Sequence, residues 1–331
     1  MVVEDVPLIR QAWVNWLKLE GWIPIEAASA DEAMAAAAAH SPVVAVCDVS
    51  LGSGKSGVWL ANELLGSSNS PQIVYATSHM TLPGDATRRP GVSAYLLKPF
   101  GCRQLVSAVA MAETELLARR RRVSAEQALR AELAQRRAQL HRRIDNLDPT
   151  ERLDPFAIVA RLLPFRLDAR EEHVPALAER AGARLGLTWS EQHTLRRAVV
   201  LRGLGKAVMP DALLNPERPL LEFERRILRS WVSEGEAAVA RCGFEKEAEW
   251  VGGMADRWDG LDNWQACGRQ RPSAGPSLLR AINDFLALTA DRQCQPCFSM
   301  VEGIDQLRRG AGSLYDPAAV TALIDTLTTQ Q

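Results

Sequence analysis

The chain has 331 residues, 39 Lys and Arg against 40 Asp and Glu, and 47% apolar content, a length that suits two domains and a composition that excludes collagen-like, mucin-like and wholly disordered chains. No apolar run approaches the ~20 residues of a membrane-spanning helix, and the acidic start MVVEDV has the wrong sign for a signal peptide. Six scattered cysteines make no disulfide framework, so a cytoplasmic location is expected, and the near-zero net charge gives no argument for nucleic acid as a partner.

Charge divides the chain into three. Residues 1–110 carry 7 Lys/Arg against 9 Asp/Glu, residues 111–149 carry 9 against 6, and residues 150–331 carry 23 against 25. The middle stretch is almost free of Gly and Pro, and reads as one long polar linker helix between two domains. No internal repeat is present, and the alanine run at 35–39 is the single low-complexity stretch.

In the first segment, short apolar runs alternate with helical patterns. Strands are predicted at Val2–Val3, Ile23–Ala27, Val43–Cys47, Ile73–Ala76 and Ala94–Leu97. Between them lie stretches such as Leu8, Ala12 and Trp16, whose spacing of four turns one helical face inward. That alternation predicts an α/β domain with an open parallel sheet. In such sheets ligands gather outside the carboxyl ends of the strands. Here those ends carry Glu4 and Asp5, then Asp48, Thr77, and Lys98 before Pro99. Three carboxylates, a hydroxyl and an ammonium would therefore meet at one edge. An all-oxygen acidic cluster suits Mg²⁺, and the lysine offers a point charge to an arriving phosphate.

The motifs VVEDV, VVAVCDVSLGSGKSG, IVYATSH and YLLKPF resemble those of the receiver domain of two-component response regulators, over about residues 1–115. The resemblance implies a flavodoxin-like five-stranded sheet, with Asp48 as phosphoacceptor and Glu4, Asp5, Asp48 and the Ser50 backbone carbonyl as Mg²⁺ ligands. It further implies Thr77 as the hydroxyl closing on the phosphoryl group, Lys98 as its ion partner, Tyr95 as an aromatic switch, and a cis Lys98–Pro99 bond. The partner it implies is a cognate sensor histidine kinase or phosphotransfer protein.

In the linker, Leu133, Leu140 and Leu147 recur every seven residues, with Leu129 and Ile144 nearby. They suggest a coiled-coil seam with a second copy, although Arg136 and Arg143 occupy complementary positions. The other reading is a single amphipathic helix packed on its own output domain. The Arg119–Arg122 run has no interleaved aromatics and reads as a solvated face.

The third segment shows helical spacing throughout, as in Leu177, Ala181 and Leu185, and is read as all-α. Its segments LRGLGKAVMPDALL, DRWDG, LALTADR and GAGSLYDP resemble the HD-GYP domain, a helical metal-dependent hydrolase family that opens cyclic di-GMP, over about residues 165–328. Ligand positions of that family fall on Arg202, Gly203, Trp231, Met254, Ala255, Asp256 and Asn283, and its Gly-Tyr-Pro triplet on Asp262, Asn263 and Trp264. His173 and Lys206 are kept. A multinuclear site needs several imidazoles, yet the segment holds two histidines, His173 and His193. Arg202 adds a cation that does not deprotonate. No catalytic metal is therefore expected in this domain.

Other residues carry less. Cys294 and Cys297 have CxxC spacing without a second pair, and read as free thiols. Trp189, Trp231, Trp250, Trp258 and Trp264 read as core or surface anchors, or as stacking platforms for a base. Lys206, Arg202 and Arg257 form a candidate phosphate-binding set, with structural salt bridges as the other reading.

The expected architecture is thus a receiver domain at 1–110, a linker helix at 111–149, and a degenerate HD-GYP-like output at 150–331. The expected function is a response regulator whose output works by binding a partner protein, such as a diguanylate cyclase, or cyclic di-GMP itself. The alternatives are an active cyclic di-GMP phosphodiesterase with an atypical metal site, and a DNA-binding transcriptional regulator. Against the latter, no helix-turn-helix with a basic recognition helix is visible.

Overall fold

A computed structural model describes residues 1–52, 54–67, 69–78, 89–163, 173–261, 272–290 and 298–329. The chain divides into two compact units, Met1–Ala125 and Glu126–Gln331.

The first unit alternates strands and helices: β1 Val2–Val3, α1 Pro7–Leu19, β2 Glu26–Ala27, α2 Ala30–His40, β3 Val44–Asp48, α3 Gly57–Leu65, β4 Gln72–Thr77 and β5 Val92–Leu97. The strands form one parallel sheet in the order β2-β1-β3-β4-β5. Its two faces separate by residue parity. Val3, Ala45, Cys47, Ile73 and Tyr75 pack with Ala33 of α2 and Leu60 and Leu64 of α3. Val2, Val44, Val46, Val74 and Ala76 pack with Trp13, Val14 and Leu17 of α1 and with Leu105, Ala108 and Val109 beyond β5. Burial on both faces explains why the central strands read as unbroken apolar runs.

Ile23–Ala27 was expected to be a strand, but only Glu26–Ala27 pairs, and Ile23 is 93% exposed. The edge ladder is limited by its neighbour. β1 offers two residues, Val2 and Val3, and these are taken by Glu26 and Ala27.

After β5 runs α4, Cys102–Asp145, 44 residues long. Every residue from 117 to 125, including Arg119–Arg122, is exposed, as expected for a stretch with no apolar stripe. The second unit is helical: α5 Pro155–Leu162, α6 Val174–Arg184, α7 Trp189–Leu201, a 3₁₀ segment Arg202–Val208, α8 Asp211–Leu214, α9 Glu222–Arg229, α10 Trp231–Arg241, α11 Glu245–Gly253, α12 Ala274–Thr289, α13 Met300–Gly310 and α14 Pro317–Thr328. Several helices begin on side-chain caps, including the reciprocal Thr188–Glu191 and Ser299–Glu302 pairs, the pattern that satisfies otherwise orphaned backbone donors.

The linker leucines depart from the coiled-coil seam expected of them. Leu133, Leu140, Ile144 and Leu147 are buried in the core of the second unit, with Ile158, Leu162, Leu201, Leu204 and Val208 in the same cluster. Ion pairs fasten the same helix: Arg137 grips Glu234 of α10, and Arg241 holds Asp145 at 2.7 Å. A leucine repeat states that one face is apolar. In this fold the face made by Leu133, Leu140, Ile144 and Leu147 is covered by the chain's own helices.

Candidate functional site

The strand order brings Glu4, Asp5, Asp48, Thr77 and Lys98 to the carboxyl edge of the sheet. Carboxylate oxygens of Glu4, Asp5 and Asp48 lie within 4.8 Å of one another. Glu4 is completely buried, and burial with the neighbouring Asp48 charge holds its pKa above the ordinary range, against the lowering effect of the hydrogen bond from Lys98. Lys98 Nζ donates to Glu4 Oε2 at 2.6 Å and Asp48 Oδ2 at 2.9 Å. Burial alone would pull the ammonium pKa down, but these two carboxylate bonds leave it raised.

The Lys98–Pro99 bond is cis. Lys98 N donates to Thr77 O at 2.7 Å, joining the ends of β4 and β5. Thr77 is buried. Tyr95 lies opposite Tyr75 in the β4–β5 register, and the rings stack at 5.5 Å. Ser50 is exposed, and its N–H donates to Asp48 Oδ1 at 3.3 Å.

Three residues at this edge were not singled out from the sequence. Gly57 opens α3, where a Cβ would stand 1.8 Å from the Asp48 carbonyl oxygen. Only glycine permits that approach. Arg10 Nη1 donates to the Glu4 carbonyl at 2.6 Å. Trp13 sets its ring 5.0 Å from Lys98 Nζ. Gly57 stands inside a quoted motif and was legible as a candidate, whereas Trp13 looked like one more apolar residue of α1.

The second unit is different. Arg202 is buried, and its guanidinium turns back to donate to the Val199 carbonyl in the last turn of α7. Lys206 Nζ sits 5.3 Å from the Trp231 ring. Arg257 is bidentate to Asp259 at 2.9 and 2.6 Å, which draws that carboxyl down to about 2. The described partners of the candidate phosphate set are thus three different groups. His173 is exposed, Met254 is buried, and Asn283 donates to Asp284, which also accepts from the Tyr315 hydroxyl at 3.1 Å. Among the described residues, the group of three or more His, Cys, Asp or Glu side chains close enough to share an ion is Glu4, Asp5 and Asp48. Asp262, Asn263, Trp264, Cys294 and Cys297 lie outside the described residues.

Family models match both units. One describes a response regulator receiver domain and matches residues 1–110; the other describes an HD domain and matches residues 157–319. The chain has a receiver domain followed by an HD domain. The receiver is 30% identical over 113 residues to the transcriptional regulatory protein PdtaR of Mycobacterium tuberculosis, in two strains, which covers 34% of this chain and 55% of the relative. The chain thus spans about half the length of these curated relatives. Among solved structures, a CheY-like receiver domain protein from Methanospirillum hungatei is 22% identical, covering 36% of this chain and 94% of that one, with a TM-score of 0.34. The receiver domain of NtrX from Brucella abortus is 27% identical, covering 34% and 96%, with a TM-score of 0.32.

Proposed function

We propose that the receiver is a phosphorylation switch in which Asp48 accepts a phosphoryl group from the phosphohistidine of a sensor kinase or phosphotransfer protein. The observation that carries this reading is the Lys98 ammonium bridging Glu4 and Asp48, two of three mutually close carboxylates. Anionic oxygens that close repel one another, and the donor set, all oxygen, matches a hard divalent cation. Glu4, Asp5 and Asp48, with the Ser50 carbonyl, are the residues that would hold Mg²⁺, which when bound screens the charge of the incoming phosphoryl group.

In the step itself, an Asp48 carboxylate oxygen forms a bond to phosphorus as the phosphorus–nitrogen bond of the donor breaks, and the electron pair leaves with the imidazole. Lys98 stays beside Asp48 and neutralises a phosphoryl oxygen. Thr77, at the end of β4, supplies a hydroxyl to the product, and Tyr95 two residues before Leu97 reports the change along β5. The chain would work in the cytoplasm; no helix among the described residues is long and apolar enough to cross a membrane.

The HD domain acts in this reading by binding, to a signalling protein or to cyclic di-GMP, without hydrolysing it. Its support is Arg202, a buried permanent cation where the resemblance places a metal-binding histidine. The test has two arms. Acetyl phosphate with Mg²⁺ should add one phosphate to the chain and none to Asp48→Asn; labelling that persists in Asp48→Asn refutes the switch. Elemental analysis should find no stoichiometric iron, manganese or zinc. Two metals per chain together with catalytic release of linear dinucleotide would restore a hydrolase.

A further inference from the structure

Trp13 lies on the inward face of α1 with Val14 and Leu17, and is 3% exposed. Its position calls only for bulk, which a leucine or valine could provide. What an indole adds is a negatively polarised face, and that face looks onto Lys98 Nζ from 5.0 Å. A second aromatic fixes the arrangement. Phe100 packs against Trp13 with ring centroids 5.1 Å apart and planes tilted by 31°, so the turn carrying Lys98 is tied to α1 from two residues further on.

Among the described residues, the Lys98 ammonium therefore meets Glu4, Asp48 and the Trp13 ring. The first two are contested. Glu4 and Asp48 are the same carboxylates that a divalent cation would share with Asp5, so cation uptake weakens their hold on Lys98. The ring is not contested, because a neutral π face does not ligate Mg²⁺. We infer that Trp13 is the positioning residue that keeps the Lys98 ammonium beside Asp48 once its carboxylate partners are engaged elsewhere. The inference rests on the phosphoacceptor reading of Asp48 and adds to it a residue outside the strand-end motifs.

The test uses the full chain and two titrations. Beryllofluoride, a phosphoryl mimic on an aspartate, requires Lys98 in place, whereas Mg²⁺ alone requires the carboxylates and competes with Lys98 for them. Trp13→Leu should weaken beryllofluoride binding about tenfold, the scale of a desolvated cation–π contact, while Mg²⁺ affinity by calorimetry stays level or rises. Trp13→Phe, which keeps a ring face, should lie within about threefold of the natural chain. Uniform 5-fluorotryptophan, similar in shape with a weaker ring face, gives a second measurement that leaves the core filled, and should lower beryllofluoride affinity without lowering that for Mg²⁺.

A purely structural role would lower both affinities together and would make Trp13→Phe no better than Trp13→Leu; that pattern overturns the inference, as does unchanged beryllofluoride binding in Trp13→Leu. If the natural chain itself takes up no beryllofluoride, or Asp48→Asn takes it up equally, the phosphoacceptor reading falls first and this inference falls with it.

Discussion

Truncating the linker leucines separates two accounts of α4. Leu140 is 3% exposed, so Leu140→Ala removes three buried carbons, about 2.4 kcal/mol at ~0.8 kcal/mol each. The space left adds a cavity cost, but Leu140 borders an open groove lined by Glu132, Arg136, Gln139, Arg143 and Ala207. Water and these flexible side chains can enter it, which holds the total near the lower end of the range, about 2.5–3 kcal/mol. Ile144 is fully buried and does not line that groove; Ile144→Ala should cost about 3–4 kcal/mol. Hydrogen exchange read by peptide is the assay, because the slowest amides of α7 exchange through unfolding of the whole second unit. Leu140→Ala should speed them about a hundredfold and Ile144→Ala several hundredfold, at tenfold per ~1.4 kcal/mol. Peptides of β3 and β4 should keep their rates. Unchanged α7 protection with a loss of self-association would refute the core assignment and return these leucines to a seam between two copies.

Gly57→Ala places a methyl group 1.8 Å from the Asp48 carbonyl oxygen; it should destabilise the receiver by about 1–3 kcal/mol and slow acetyl phosphate labelling, whereas Gly66→Ala, whose added carbon meets nothing nearer than 3.5 Å, should be close to neutral in the same exchange and labelling assays. Burial pushes the Cys47 thiol from 9.0 up to about 12 and that of Cys242 up to about 11, so at pH 8 iodoacetamide should label Cys102, which is partly exposed, well before either, as read by peptide mass. The sign for stability follows: the unfolded thiol loses its proton near 9 while folded Cys47 keeps it, so this contribution is whole below about pH 9 and is lost progressively toward pH 12. A melting temperature that rises across that window in a Cys47-dependent way would contradict it.

The strand ends could be read without a structure because parallel sheets impose a rule that depends on order along the chain. Once β1, β3, β4 and β5 are recognised as apolar runs, Glu4, Asp5, Asp48, Thr77 and Lys98 must share an edge, and the coordinates bring the three carboxylates within 4.8 Å. The helical character of the third segment was legible for a similar reason, since its 3.6-residue period survives burial of one face. What spacing cannot state is which surface covers an apolar face. The leucines at 133, 140 and 147 carry the same period whether they meet a second copy or α5 and α7, and only the packed structure assigns them to the core. The same limit hid the partners of charged groups. Arg257 pairs with Asp259, two residues away, and Arg202 donates to the Val199 carbonyl of the preceding helix, contacts that residue spacing alone does not disclose. Trp13 is the converse case: as a sequence letter it is one more apolar residue, and it acquires a part in the site only because the fold carries Lys98, 85 positions later in the chain, onto its ring.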